Sequence, residues 1–167
     1  MAHIERSVAT LRVIGDDLLP DEISRLLGCP PTKRQVKGEA VRGQKTGREY
    51  TKKIGMWRLE ATDREPENLD EQVAELLSKL TQDLAVWSKL KERFKIDLFC
   101  GLFMDITNEG ASLSSDTLLA LGVRGIELSL DIYCPIEELK EGDPCPCESG
   151  KTYGDCCMPN ASHGINA

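Results

Sequence analysis

The stretch Ile96-Asp-Leu-Phe-Cys-Gly-Leu-Phe-Met104 decides the fold, because its apolar residues occupy both faces of a strand. A strand of this kind is covered on both sides, which places it in the middle of a sheet. We therefore expect residues 96–104 to form a central strand. The segments before and after it should supply its neighbours in the sheet and the helices that cover them.

Other strands are predicted where apolar and polar residues alternate. Residues 7–14 form one such segment, and residues 33–43 and 47–61 resemble the two arms of a polar hairpin. A final half-buried strand is expected at 126–133. The side chains expected to face inward are Ala9, Leu11, Val13, Trp57, Leu59, Ala61, Ile126, Leu128, Leu130 and Ile132.

Helices are predicted where apolar residues recur at helical spacing between capping and stop signals. Pro20 and Gly28 bracket a short helix, and Asn68 with Glu71 forms a capping-box-like start for the longest one. The predicted helices are residues 19–27, 68–84, a turn-separated segment around 86–90, and 114–121.

The resulting order of elements is β-α-β-β-α-β-α-β, which predicts an α+β fold. Its first part is the ferredoxin-like βαββαβ arrangement, with one further helix and strand extending the core. The main domain is expected at residues 6–136. A boundary follows at 135–142, where proline and charged residues replace the alternating pattern.

Four cysteines lie close together near the carboxyl end, in the segment 143–159: Cys145, Cys147, Cys156 and Cys157. Four thiolates are the ligand set of a closed, tetrahedral structural Zn²⁺ site. Bridges between cysteines this near in sequence would be strained, and the amino terminus lacks an apolar leader, so disulfides are disfavoured. The spacing also fits neither common ferredoxin cluster. We therefore predict one structural zinc ion with these four ligands.

A phosphate-binding loop is a further reading of this segment, because Gly150-Lys151-Thr152 matches the end of such a motif. It is rejected, since the first glycine of the motif would fall on Cys145.

The residues Cys145-Pro-Cys147, Ser149-Gly-Lys151, Tyr153 and Cys156-Cys157 resemble the SEC-C zinc motif, named after the carboxyl terminus of the SecA translocation ATPase. The resemblance covers 141–159 and implies a small zinc knuckle held by the four cysteines. Glu148 stands where the motif usually has a glycine, and this difference leaves the four cysteines of the motif unchanged. In SecA the motif docks protein partners, which implies a partner-binding role here. Residues 160–167 are expected to be a disordered tail.

The body resembles a bacterial family, the domain of unknown function 4279. The resemblance rests on the opening strand 9–13 before Asp21-Glu-Ile23, on Gly55-Met-Trp57, and on the closing segments 113–114, 121–122 and 130–133. It covers about residues 6–136 and implies a fold without an activity.

The net charge of −7 argues against general attraction to nucleic acid, but one region is basic. Nine basic residues and two acidic ones lie between Lys33 and Arg58. The hairpin 33–58 could therefore bind nucleic acid, with Tyr50 and Trp57 stacking on bases. A solvated edge hairpin and a dock for an acidic protein are the other readings. The basic residues are Lys33, Arg34, Lys37, Arg42, Lys45, Arg48, Lys52, Lys53 and Arg58.

An enzyme is not predicted, because the usual acid–base residues are poorly placed. Both histidines, His3 and His163, lie near the termini. Cys29, Cys100 and Cys134 have no histidine base nearby in sequence and are typical of structural cysteines. The sequence therefore predicts a bacterial cytoplasmic zinc protein, without a membrane span, that binds other proteins. Two alternatives are a nucleic-acid- or ribosome-associated factor and a small-molecule-binding or enzymatic domain.

Overall fold

The computed structural model describes residues 3–43, 47–106, 108–134, 140–142, 145 and 149–156. The chain divides into two compact units, Met1–Cys134 and Pro135–Ala167. The first unit is the main body and the second contains the clustered cysteines. Each is described by itself. The tail predicted at 160–167 lies outside the described residues.

The body combines helices and strands, which confirms the predicted α+β class. Its strands are β1 Arg6–Gly15, β2 Lys33–Gln35, β3 Ala40–Arg42, β4 Glu49–Thr51, β5 Gly55–Glu60, β6 Lys95–Phe103 and β7 Glu127–Tyr133. Its helices are α1 Pro20–Leu27, α2 Leu69–Ser78, α3 Leu84–Arg93 and α4 Ser115–Val123.

The main sheet has the strand order β2-β5-β1-β6-β7. Neighbours are antiparallel except for β6 and β7, which run parallel and are joined through α4. The segment predicted to be central is therefore paired on both of its edges, by β1 and β7. The predicted hairpin also forms, in two pieces. Its inner part pairs β2 with β5, and its outer part pairs β3 with β4 in a separate two-stranded sheet.

Helix ends follow the predicted capping residues. Gly28 ends α1 in the left-handed conformation, with φ of 79°. The Asn68 side chain accepts a hydrogen bond from the Glu71 N–H at the start of α2, and Ser114 does the same for Thr117 at the start of α4. The long helix predicted from residue 68 ends at Ser78, and α3 begins separately at Leu84 with Asp83 as its cap.

A single hydrophobic cluster lies between one face of the sheet and the helices. Trp57 from β5 and Trp87 from α3 are fully buried in it. Leu59 and Ala61, also predicted to face inward, are 4% and 9% exposed. Burial of this apolar surface is the main stabilising contribution to the body.

The other face of β6 is covered by side chains from the neighbouring strands. The guanidinium of Arg12 lies 4.3 Å from the Phe99 ring centre, and that of Arg6 lies 4.0 Å from the Phe103 ring centre. Tyr133 stacks on Phe103 with ring centres 4.8 Å apart. Contacts between cations and aromatic rings, and between stacked rings, thus cover the apolar second face.

A carboxylate is buried in the middle of this sheet. Asp97 is fully buried and accepts two hydrogen bonds of 2.7 Å from the Arg12 guanidinium. These bonds raise the pKa of Arg12, so its guanidinium stays charged. Lys95 lies 3.8 Å from the same carboxylate. Arg12 and Asp97 also face each other in the register of β1 and β6.

A second buried polar contact attaches α2 to β1. The Ser7 hydroxyl donates to Gln72 Oε1 at 2.7 Å, and the Gln72 amide donates to the carbonyls of Ser7 and Thr62. Ser7 Oγ also accepts from the Asn68 N–H at 3.2 Å. Gln72 is fully buried, and these bonds satisfy both ends of its side chain.

One part of the predicted core is wrong. Leu130 and Ile132 were expected to face inward, but they are 48% and 54% exposed. They lie in register with the buried residues Cys100 and Leu102 of β6, so the predicted face is right. The strand that carries them is the last in the sheet, and residues at an edge are only partly covered by the helix layer.

Removing the Arg12 charge should strongly destabilise the body. Arg12→Leu leaves the Asp97 carboxylate buried without its two hydrogen bonds, which costs about 3 kcal/mol. Urea unfolding at pH 7 followed by circular dichroism measures the loss. The double variant Arg12→Leu/Asp97→Leu should recover much of it, because no charge then remains buried.

Arg34→Leu is the matched control, since its ion pair with Asp21 is exposed and such pairs contribute little. An unfolding midpoint lowered equally by Arg12→Leu and Arg34→Leu would contradict the importance of the buried pair.

Candidate metal centre

The described part of the cysteine segment is folded back on itself by backbone hydrogen bonds. Two of them connect the two sides of a small loop, and the third closes a local turn. The bonds are Cys145 N–H to the Lys151 carbonyl at 3.0 Å, Gly154 N–H to the Glu141 carbonyl at 2.9 Å, and Cys156 N–H to the Tyr153 carbonyl at 3.3 Å.

Two glycines allow the chain to turn within this loop. Gly150 has φ of 73°, a left-handed conformation that other residues adopt with strain. At Gly154 a Cβ atom would lie 3.0 Å from both the Cβ and the carbonyl oxygen of Glu141. The close approach of the two chain segments therefore favours a glycine at this position.

Of the two cysteines that the structure describes in this loop, Cys145 is the buried one, with 6% of its surface exposed. Cys156 is partly buried, and the Ser149 hydroxyl donates a hydrogen bond to its sulfur at 3.3 Å. A hydroxyl that donates to a sulfur is the type of outer contact that orients a metal-bound thiolate. Sequence reasoning named Ser149 only as part of a motif and missed this contact, since nothing in the spacing shows where its hydroxyl points.

Of the four predicted zinc ligands, the structure describes Cys145 and Cys156. Cys147 and Cys157 lie outside the described residues, so the complete ligand set stays a prediction. Within the described ranges, no group of three or more His, Cys, Asp or Glu side chains is placed to hold a metal ion. The donor chemistry fits zinc, because thiolate sulfur is a preferred ligand of this ion. A closed shell would need all four cysteines.

Of the other cysteines, Cys100 and Cys29 are in settings typical of structural residues, whereas Cys134 lies at the surface. Cys100 is fully buried in the core, and burial together with the charge of Asp97 raises the pKa of its thiol to about 12. Cys29 is partly buried beside the core and Cys134 is exposed. His3 is exposed, and His163 lies outside the described residues.

A surface groove of about 400 Å³ lies between α1 and α3. Its charged residues include Glu22 and Arg93, which form an ion pair of 3.1 Å across it. The apolar floor is formed by Leu26, Val86 and Leu90. The charges of Glu22 and Arg93 therefore compensate each other.

Part of the positive charge of the basic hairpin is paired with carboxylates. Three of its cations form ion pairs, and Trp57 is buried with its indole N–H donating to Ser24 Oγ at 3.1 Å. Tyr50 is 49% exposed beside Lys52, and Lys45 lies outside the described residues. The ion pairs are Lys33 with Glu60 at 2.9 Å, Arg34 with Asp21 at 3.0 Å, and Lys37 with Asp16 at 2.7 Å.

Comparison with known families agrees with both resemblances seen in the sequence. Residues 5–135 match the model of the family described as Domain of unknown function (DUF4279), and the chain belongs to this family. Residues 143–159 match the SEC-C motif. No curated protein and no solved structure matches the chain. Every helix in the described ranges is too short or too polar to cross a membrane.

The Cys100 thiol should be inert in the folded protein. At pH 8 a group with a pKa of about 12 is almost entirely protonated, and the thiolate is the reactive form. We expect iodoacetamide to modify Cys134 quickly and Cys100 only after unfolding in urea, as read by peptide mass spectrometry. Fast labelling of Cys100 in the native state would show that its burial is wrong.

Proposed function

We propose that this is a non-enzymatic bacterial cytoplasmic protein whose SEC-C segment holds one structural zinc ion and binds a protein partner. The ligands would be Cys145, Cys147, Cys156 and Cys157. The observation that carries the proposal is the SEC-C match over 143–159, together with the burial of Cys145 and the hydroxyl contact on Cys156. The main body then serves as the domain to which this binding segment is attached.

A structural role for the metal follows from the chemistry of the ligands. Bound zinc would be coordinatively saturated by four thiolates, which leaves no position for a reacting water. The residues of this chain contribute the rest. Ser149 orients one sulfur, and the loop hydrogen bonds of Cys145 and Gly154 hold the two chain segments together. Cys145 is the one buried residue among those that the structure describes in this segment, so we expect the metal to supply most of the folding free energy.

The case against an enzyme rests on the described polar groups. A general base or nucleophile needs a titratable side chain whose pKa is tuned for proton transfer. The buried Cys100 has its pKa shifted away from neutrality, and in the groove between α1 and α3 the Glu22 carboxylate is held in an ion pair with Arg93. The other charged residues of this groove are Lys89 and Glu92, at surface positions. The ion pairs of Lys33, Arg34 and Lys37 remove part of the positive charge of the basic hairpin, which weakens the nucleic-acid alternative.

We also propose that the body has the ferredoxin-like βαββαβ arrangement. It is supported by the strand order β2-β5-β1-β6, in which all neighbours are antiparallel, and by helices between β1 and β2 and between β5 and β6. The parallel strand β7 and helix α4 then extend that arrangement.

Metal content tests the zinc site directly. Purified protein should contain about one zinc per chain, since four thiolates complete one shell. Cys145→Ser should reduce the content sharply, as measured by atomic emission spectrometry. Cys134→Ser is the control, because this exposed cysteine lies in the body, and it should leave zinc unchanged. Equal zinc content in the two variants would reject the assignment.

The partner-binding role is tested by affinity capture from bacterial lysate, with the intact chain, Cys145→Ser and Cys134→Ser compared by quantitative mass spectrometry. We expect at least one protein to be enriched roughly tenfold by the intact chain and by Cys134→Ser, a difference of about 1.4 kcal/mol in binding. Cys145→Ser should lose it. A partner kept by all three forms would place the binding surface elsewhere, and recovery of nuclease-sensitive RNA would favour the alternative.

A further inference from the structure

The two edges of the main sheet are built differently. At one edge, β2 has only three residues and includes Lys33 and Arg34, which are features that protect an edge strand from pairing. At the other, β7 has seven residues, and within the described ranges no strand pairs with its outer side. Leu130 and Ile132, on this strand, are 48% and 54% exposed. An edge strand of this length and composition is a template for another strand.

We propose that the protein forms a homodimer by antiparallel pairing of β7 with β7 of a second copy. The proposal is independent of the zinc segment and of its partner. The partner strand is β7 of a second copy, because the backbone and side chains of β7 are complementary to themselves in one specific register.

The backbone groups that face outward can be read from the pairing with β6. The Tyr133 carbonyl accepts a hydrogen bond of 2.9 Å from the Met104 N–H, so the polar groups of Tyr133 point toward β6. In a parallel ladder, both groups of a residue point to the same side, and the side alternates along the strand. The N–H and C=O groups of Leu128, Leu130 and Ile132 therefore point outward.

Only a few registers allow these outward N–H and C=O groups to form hydrogen bonds with the second copy. In an antiparallel pair, two facing residues exchange both hydrogen bonds, so Leu128, Leu130 and Ile132 must face one another across the dimer axis. Placing the axis at Leu130 pairs all seven residues of β7. Leu130 then faces its own copy, and Leu128 faces Ile132.

Repulsion between carboxylates favours this register over the two registers next to it. With the axis at Leu130, Glu127 faces Tyr133 and Ser129 faces Asp131, so no two carboxylates are opposite each other. With the axis at Asp131, the two copies of Asp131 would face each other. With the axis at Ser129, Glu127 would face Asp131. Like charges directly opposite destabilise a strand pair, which leaves Leu130 as the centre.

The apolar residues also fit this arrangement. The axis between two antiparallel strands is perpendicular to the sheet, so the helix layers of both copies lie on the same side. Leu128, Leu130 and Ile132 face that side, as their register with β6 shows. The helix that contacts β7 is α4, and it has three exposed apolar residues, Leu118, Leu119 and Val123. The dimer would shield these side chains from water.

The oligomeric state tests the proposal. Sedimentation equilibrium of the full chain with bound zinc should give twice the chain mass. Leu130→Lys, which places two ammonium groups opposite each other at the axis, should weaken the dimer roughly 30-fold or more. Leu19→Lys is the control, because this residue is 55% exposed beside α1, at the far half of the sheet, and should have no effect. A monomeric native chain, or a dimer insensitive to Leu130→Lys, would overturn the proposal.

Disulfide trapping tests the register. In a Cys134→Ser background, Leu130→Cys should form a bond between identical positions under mild oxidation, because facing Cα atoms are about 5.5 Å apart. Leu128→Cys should not link to itself, since it faces Ile132, but should link to Ile132→Cys when the two are mixed. Mass spectrometry of the linked peptides distinguishes these products from disulfides formed by the carboxyl-terminal cysteines. Equal self-linking at 128 and 130 would reject this register.

Discussion

The body of this protein depends on keeping one buried carboxylate paired. Asp97 has no access to water and lies in the strand that β1 and β7 both join. An unpaired charge at that position is costly, so β1 must place Arg12 directly opposite. A shift of one residue would move Arg12 to the other face of the sheet and leave Asp97 alone. The pair therefore fixes the register of β1 on β6. Because β5 pairs with β1, the position of β5 depends on the same contact.

Much of this fold could be predicted from the sequence, because its signals are local. Alternation located β1, β5 and β7, an apolar run on both faces located β6, and capping residues such as Asn68 and Ser114 located helix starts. Alternation gives the face on which a residue lies but not what covers that face. Leu130 and Ile132 were assigned to the right side of the sheet, and their exposure depends on their strand being last in the order. Strand order is set by the whole chain.

The contacts that could not be predicted join residues far apart in sequence. Ser7 and Gln72 are 65 positions apart, and Arg12 and Asp97 are 85 apart. No spacing rule connects such pairs, and a polar residue in an apolar strand gives no indication of its partner. The cysteine segment is the opposite case, because its candidate ligands are recognisable from residue type and spacing alone. Even there, the hydroxyl contact between Ser149 and Cys156 required the three-dimensional structure.

The two units of the chain differ in what stabilises them, and this difference bears on how the protein could be controlled. The body has a hydrophobic core with two buried tryptophans, whereas most of the described residues of the second unit are exposed or only partly buried. If the proposed zinc ion is bound, the second unit would depend on it for folding, so zinc availability would change the second unit while the body stays intact. A partner bound through the cysteine segment would then be released without loss of the sheet. Pairing through β7 uses only the body and would persist. Zinc would thus control partner binding independently of assembly.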